Sequence, residues 1–366
     1  MKIKINDLIL LFILPLIFFL SGCKKDNPDT PANPPLVTFF KGADISFLPE
    51  METFGTKFYN QEGQTGNLPD ILKQNGVNTI RIRLWHTPAD GHSGLDEVSA
   101  FAKEMKAKGF EIFITIHYSD TWADPGHQQK PAAWEGLSVA VLGDSVYNYT
   151  KQVVQLLDPD IIEIGNEISN GFLWPEGKIS NQANFVALLK KGIQGARDAS
   201  AENKKILIHC ATLDVADWFY TIMKNNAVDY DIIGLSYYPF WTKITPTQAI
   251  DQLNGLSTKF GKDAMIAEIA YPFTLDWNDY TNNIIGSQDQ LLAGYPASPE
   301  GQKLILTELR KAMEKSDQLI GFCYWAPEWV AFKGPQSTSG SSWENMALFD
   351  FDNKALPALE AFRQSE

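Results

Sequence analysis

The chain of 366 residues carries 31 basic and 44 acidic side chains, a net charge of −13, with 44% hydrophobic and 20% charged residues. This is the composition of a folded protein and excludes a disordered or low-complexity polymer. The acidic balance, with no dense Lys/Arg run after the first 25 residues, argues against nucleic acid as a partner and against polyanions generally. A neutral ligand is expected, and ten tryptophans supply flat faces suited to sugars as well as to cores.

In chain order, Lys2 and Lys4 precede an apolar run from Leu8 to Leu20, too short for a confident membrane span but right for the core of a signal peptide. It ends in Leu20-Ser21-Gly22-Cys23, which resembles the bacterial lipobox. Residues 1–22 are therefore expected to be a lipoprotein signal peptide, with Cys23 lipidated. Pro28, Pro31, Pro34 and Pro35 lie among polar residues and predict an extended tether over 23–37. The expected product is an exported, lipid-anchored protein of the cell envelope that meets the membrane only through its anchor. Periplasmic and surface display are both open. Cys210 and Cys323 remain, each in an apolar strand-like run, and are expected to be buried free thiols rather than part of a disulfide framework or zinc site.

From residue 38 to 366 the pattern predicts a single domain. Short apolar, β-branched or aromatic runs at 39–44, 78–84, 110–117, 160–165, 204–210, 230–237, 264–268 and 319–325 read as strands, several buried on both faces. Helical stretches separate them. In 96–108, Val98, Phe101, Ala102 and Met105 follow i, i+3, i+4, i+7 and Gly109 supplies a stop. A second helix is predicted over 183–199, and a third opens at Pro69 and closes at Asn75-Gly76. Eight strands, each followed by a helix, fit one (β/α)8 barrel of the α/β class with enlarged βα loops. An open doubly wound sheet would want a Gly-rich phosphate turn after the first strand, and none is present.

In such a barrel the chemistry gathers past the C-terminal strand ends. The residues there are polar or aromatic, among them Asp44, Arg81, Arg83, Trp85, His86, His117, Asp120, Trp122, Asn166, His209, Tyr238, Trp325 and Glu328. Strand four ends in Gly165-Asn166-Glu167 and strand seven in Ala267-Glu268. Two carboxylates facing each other across a barrel mouth are what glycoside hydrolysis needs: one acid to protonate the leaving oxygen, one base to attack or to activate water. A catalytically silent glycan-binding protein would have no need of that pair.

At these residues the chain resembles a known family. Asn78–Trp85, Pro88-Ala89-Asp90-Gly91, His117-Tyr118-Ser119-Asp120-Thr121-Trp122-Ala123-Asp124-Pro125, Ile164–Ile168, Leu173-Trp174-Pro175, Ser236–Phe240 and Phe322–Trp325 are similar to glycoside hydrolase family 53, the arabinogalactan endo-β-1,4-galactanases (EC 3.2.1.89). The likeness runs over roughly residues 39–363. It implies a retaining enzyme that cleaves the neutral β-1,4-galactan side chains of pectin, with Glu167 as acid/base and Glu268 as nucleophile. It further implies that Asp44, Arg81, Arg83, His117, Asp120, Trp122, Asn166, Tyr238 and Trp325 serve substrate binding. Either Arg81 or Arg83 would be placed to keep Glu268 ionised, and Tyr238 to donate a hydrogen bond to it.

The same likeness raises a structural calcium. Some bacterial relatives hold one in the loop after strand seven, and here Asp276, Asp279, Asn283 and Glu344 are the oxygen ligands available, though the glycines of that loop are missing. Catalysis itself is expected to need no cofactor, and the enzyme to work as a monomer. The rival readings are another barrel β-glycanase, such as a mannanase or cellulase, and the silent glycan-binding lipoprotein.

Overall fold

Eight parallel strands close on themselves in chain order: β1 (Phe40–Asp44), β2 (Thr79–Leu84), β3 (Glu111–Ile116), β4 (Ile161–Ile164), β5 (Lys205–Cys210), β6 (Ile232–Ser236), β7 (Asp263–Ile269) and β8 (Leu319–Trp325), with β8 pairing back to β1. The computed structural model describes residues 39–200 and 204–363. The expected signal peptide, the tether and Cys23 lie outside the described residues. Every expected strand is present, with ends that move by two residues at most.

The expected helices are α2 (Leu68–Gln74), α3 (Leu95–Ala107) and α5 (Gln182–Arg197). In α3 the buried residues are Val98, Phe101, Ala102 and Met105, the stripe read from the sequence. Burying each of its large side chains contributes about 1.5–3 kcal/mol. The longest helix described is α4 (Val139–Leu157), started by the Ser138 side chain and ended by Asp158 in the left-handed conformation. One feature had no sequence signal, a two-residue antiparallel pairing of Phe58–Tyr59 with Thr65–Gly66 after α1 (Leu48–Thr53).

The barrel interior is layered. Its lower layer is apolar, with Phe40, Phe113, Ile161, Leu207, Ile232, Met265 and Ile320 packed together. Side chains alternate along a strand with period two, so two residues on, each strand delivers the next layer. That layer is polar, with Thr115 from β3, Glu163 from β4 and His209 from β5 joined by Arg81 from β2, and Ser236 stands one layer higher on β6, all buried. Cys323 of β8 and Cys210 at the end of β5 are both free and buried, as expected.

Strand β7 breaks the alternation. Leu235 pairs with Ile266, but the next residue of β6, Ser236, pairs with Glu268, so β7 holds one extra residue. The same slip recurs against β8, where Phe322 pairs with Ile266 and Tyr324 with Ile269. This bulge turns Glu268 towards the barrel mouth, where strict alternation from Met265 would have presented Ala267.

Candidate active site

The mouth of the barrel holds a cavity of about 340 Å³, lined by Asp44, Arg81, Arg83, His117, Trp122, Asn166, Glu167, Tyr238, Glu268 and Trp325, together with Trp241, Ile284, Trp329 and Trp343. Both glutamates read from the sequence face it. Glu167 arrives through a tight exit from β4, with Gly165 at φ 80° and Glu167 itself at φ 49°. A Cβ on Gly165 would stand 2.6 Å from Ile168 Cγ2, so glycine is required there. A left-handed non-glycine residue costs on the order of 1–3 kcal/mol, and this one places an acid on the cavity wall.

Arg81 organises the floor. Its Nη1 lies 2.8 Å from Asp44 Oδ2 and 2.8 Å from Glu268 Oε1. Its Nη2 donates to Glu163 Oε2 at 3.0 Å and to Asn166 Oδ1 at 2.8 Å. Burial alone would lower its affinity for the proton, but Glu163, Glu268 and Asp44 outweigh that and hold the guanidinium firmly charged. Tyr238 donates to the other oxygen of Glu268 at 2.8 Å. Glu268 is thus fixed by two donors, and its guanidinium partner is Arg81.

Arg83 does something different. Its guanidinium lies 4.2–4.6 Å from the ring centres of Phe47, Trp85 and Trp122, and its Nε donates to Ser93 Oγ at 3.0 Å. Burial brings its pKa down to about 10. It is a charged plug between aromatic faces at the cavity edge.

The two carboxyl groups are set apart electrostatically. Glu167 is pushed up to about 7, first by burial and then by the charge of Glu268, against smaller opposing pulls from His209, Ser236 and Arg81. A carboxyl that keeps its proton near neutrality is a competent general acid. Glu268, between Arg81 and Tyr238, is placed as an acceptor-only carboxylate.

The remaining expected residues divide. Asp44 anchors Arg81 and accepts from Ser46 Oγ at 2.5 Å. Asn166 is locked by Arg81 on its oxygen and by Ala123 O, 2.8 Å from its nitrogen. His117 Nδ1 accepts the Ala123 N–H at 3.1 Å and the Trp85 indole N–H at 3.3 Å. Burial, and then Arg83 and Arg81, keep it neutral. Asp120 stands off this cavity, on an adjacent depression with Lys130 and Trp174. Its two oxygens accept the N–H groups of Thr87 and Ala132 at 2.9 and 2.8 Å, so it clamps loops.

Of the suggested calcium ligands, Asp279 and Asn283 neighbour Glu344, but most of their polar atoms are engaged with the protein. Glu344 Oε1 accepts the N–H groups of Asn278 and Asp279, and Asp279 accepts those of Thr281 and Ser341. Asp276 is exposed and accepts from Thr274 Oγ1, while Asn283 Nδ2 meets Asp276 O at 3.4 Å. Among the described residues no three His, Cys, Asp or Glu side chains gather as metal ligands. Glu344 Oε2 and Asn283 Oδ1 are the two buried oxygens of this set without hydrogen-bond partners among the described residues.

Sequence reasoning assigned no role to Glu163, His209, Ser236, Trp241, Trp329 or Trp343. Glu163 carried a signal, an acid inside the otherwise apolar β4, which must find a partner. It finds two, Arg81 and His209, the latter at 2.9 Å. Trp241, 60% exposed, stands at the outer end of the cavity with its ring 5.1 Å from that of Tyr238.

A closed (β/α)8 barrel whose mouth opposes a proton-holding carboxyl on β4 to a guanidinium-held carboxylate on β7, among tryptophan faces, defines a glycoside hydrolase. The comparisons with known proteins agree. The family model "Glycosyl hydrolase family 53" matches residues 40–362, and the chain belongs to that family. Its fold is similar to that of an Ignisphaera aggregans GH53 catalytic domain, at TM-score 0.84 and 40% identity, covering 91% of this chain and 97% of that one. A structure from a study of two fungal β-1,4-galactanases matches at TM-score 0.77 and 32% identity, covering 88% and 98%. An arabinogalactan endo-β-1,4-galactanase of Thermothelomyces thermophilus is 34% identical over 339 residues, 89% of this chain and 99% of that one.

Proposed function

We propose that this protein is an endo-acting β-1,4-galactanase that cuts the neutral galactan side chains of pectin with retention of configuration. The observation that carries the reading is the placing of Glu167 and Glu268 on one cavity wall with opposed environments, in a chain whose family relatives include galactanases. In the first half-reaction the Glu167 carboxyl gives its proton to the glycosidic oxygen as that bond to the anomeric carbon breaks. A Glu268 oxygen forms a bond to the same carbon. With the Glu268 charge consumed in the ester, the main electrostatic reason for Glu167 to hold a proton is gone. It then takes one from water, whose oxygen displaces Glu268. No metal or cofactor enters either step. The test is product release from purified linear β-1,4-galactan by the protein beginning after Cys23, with mannan and cellulose as controls. Short galacto-oligosaccharides from galactan alone are expected. Cleavage of only a control would overturn the substrate, and binding without cleavage would overturn the enzyme.

We further infer that the chain is exported and held at the cell envelope by a lipid on Cys23, which the Leu20-Ser21-Gly22-Cys23 sequence supports. Cys23→Ala is expected to move the protein from the membrane fraction to the soluble one. We read the β7 loop as closed by the hydrogen bonds of Asp279 and Glu344 rather than by calcium.

A further inference from the structure

Behind Glu167 lies a chain of buried polar groups with no part in the steps above. Glu163 Oε1 meets His209 Nδ1 at 2.9 Å, His209 Nε2 meets Ser236 Oγ at 2.9 Å, and Ser236 Oγ meets Glu167 Oε1 at 2.6 Å. Glu163 and His209 have no exposure at all and Ser236 has 1%. We propose that this is a relay of fixed polarity, in which His209 and Ser236 are positioning residues that reserve Oε2 of Glu167 for the catalytic proton.

The argument is a count of hydrogens. Glu163 accepts from Arg81 on one side, so as a carboxylate it has only lone pairs for His209, and Nδ1 must donate to it. An imidazolium then has a second N–H, on Nε2, which Ser236 Oγ accepts. The single hydroxyl hydrogen of Ser236 is left pointing at Glu167 Oε1. A proton on Oε1 would collide with it, so the acid proton resides on Oε2. A neutral ring reverses everything past Nδ1. Nε2 would accept the serine hydrogen, Ser236 could only accept from Glu167, and the proton would turn to Oε1, where Ser236 holds it.

The surroundings favour the charged ring. His209 faces Glu163, Glu268 and Glu167, with Arg81 on the far side of the shared Glu163 and the neutral His117 nearby. Burial works against its charge, but the three carboxyl groups outweigh it and raise its pKa. Glu167 in turn faces Glu268, His209, Ser236, Arg81, Tyr238 and the protonated Cys210. The same relay serves the second half-reaction. Once Glu167 has given up its proton, the Ser236 hydroxyl stabilises the carboxylate that must act as base.

This inference rests on the galactanase reading for its assay, and the experiment keeps the two apart. The profile of kcat/KM against pH on soluble galactan is compared for the wild type, Ser236→Ala, Ser236→Thr and His209→Gln. Ser236→Ala removes the one side-chain donor to Oε1 among the described residues, so the alkaline limb should move up by about half to one pH unit, with the acid limb fixed. Peak activity should fall about twofold as the proton samples both oxygens instead of one. Ser236→Thr, which keeps the hydroxyl, should restore both. His209→Gln should shift the limb in the same direction. Should that variant not fold, the two serine variants decide. An alkaline limb unmoved in Ser236→Ala, or a threonine variant that behaves like alanine, overturns the relay. If the wild type does not cut galactan, it is the substrate reading that fails. The relay is then tested by the same comparison of Glu167 titration, followed at its labelled carboxyl carbon by NMR without substrate.

Discussion

Arg81 Nη1 stands at the same 2.8 Å from Glu268 Oε1 and from Asp44 Oδ2. One guanidinium edge therefore ties Glu268 on β7 to the end of β1, two strands that do not pair with each other in the barrel. Its other edge holds Glu163 and Asn166. The cation is 1% exposed, so its removal would leave three acidic groups buried without it. Arg81→Met is expected to destabilise the fold by about 3–5 kcal/mol, the cost of breaking a buried ion pair. Arg81→Lys cannot reach all four acceptors with one ammonium group and should lose most activity as well. Thermal denaturation beside galactan hydrolysis checks both.

Glu268→Gln should cut hydrolysis by more than about a thousandfold while leaving oligosaccharide affinity nearly unchanged. The amide keeps an oxygen for Tyr238 and the shape of the wall. Turnover at the wild-type rate, measured as reducing ends from galactan, would remove Glu268 as nucleophile.

The raised pKa of Glu167 fixes the sign of two pH effects. Activity requires the protonated form, so kcat/KM is expected to fall as pH rises through about 7. Stability moves the same way. The folded state binds this proton more tightly than the unfolded chain, whose carboxyl titrates near 4.5. The contribution is therefore complete below the unfolded pKa and is lost as pH climbs through the folded one. Glu167→Gln should flatten that part of the melting-temperature profile, and an unaltered slope between these pH values would contradict the assignment.

Trp241 offers the most exposed of the cavity's indole faces. Trp241→Ala should raise KM for galactan roughly tenfold, about 1.4 kcal/mol of lost stacking, with kcat little changed. An effect on kcat with KM constant would place Trp241 at the reacting sugar instead.

The β7 loop gives a prediction of insensitivity. Both oxygens of Asp279 and Oε1 of Glu344 accept backbone N–H groups, so neither EDTA nor added calcium should move the melting temperature. A rise of several degrees with calcium would show that the loop rearranges to bind it.

The barrel was legible because its strands announce themselves by continuous apolar runs and its helices by their stripes. Val98, Phe101, Ala102 and Met105 needed no structure to be read as a buried face. Glu167 and Glu268 were legible because both close a strand. What escaped depended on register. Whether Glu268 or Ala267 faces the mouth is decided by a one-residue slip, and periodicity alone would have chosen the alanine. The choice between Arg81 and Arg83 likewise needed three dimensions. The two residues stand two apart on one strand and so share a face, yet one meets carboxyl groups and the other aromatic rings. The loop contacts of Asp120 were not legible either, because a polar residue past a strand end can turn back to hold its own loop.

The tryptophans around the cavity are close enough to one another to behave as a single optical object. Trp325 has its ring centre 6.1 Å from Trp122, 5.9 Å from Trp329 and 4.7 Å from Trp343, and Trp241 is 6.5 Å from Trp343. Light absorbed by any of these indoles is shared among its neighbours before it is emitted. A sugar that touches one ring is therefore reported by the set, and the protein carries its own fluorescent indicator of occupancy.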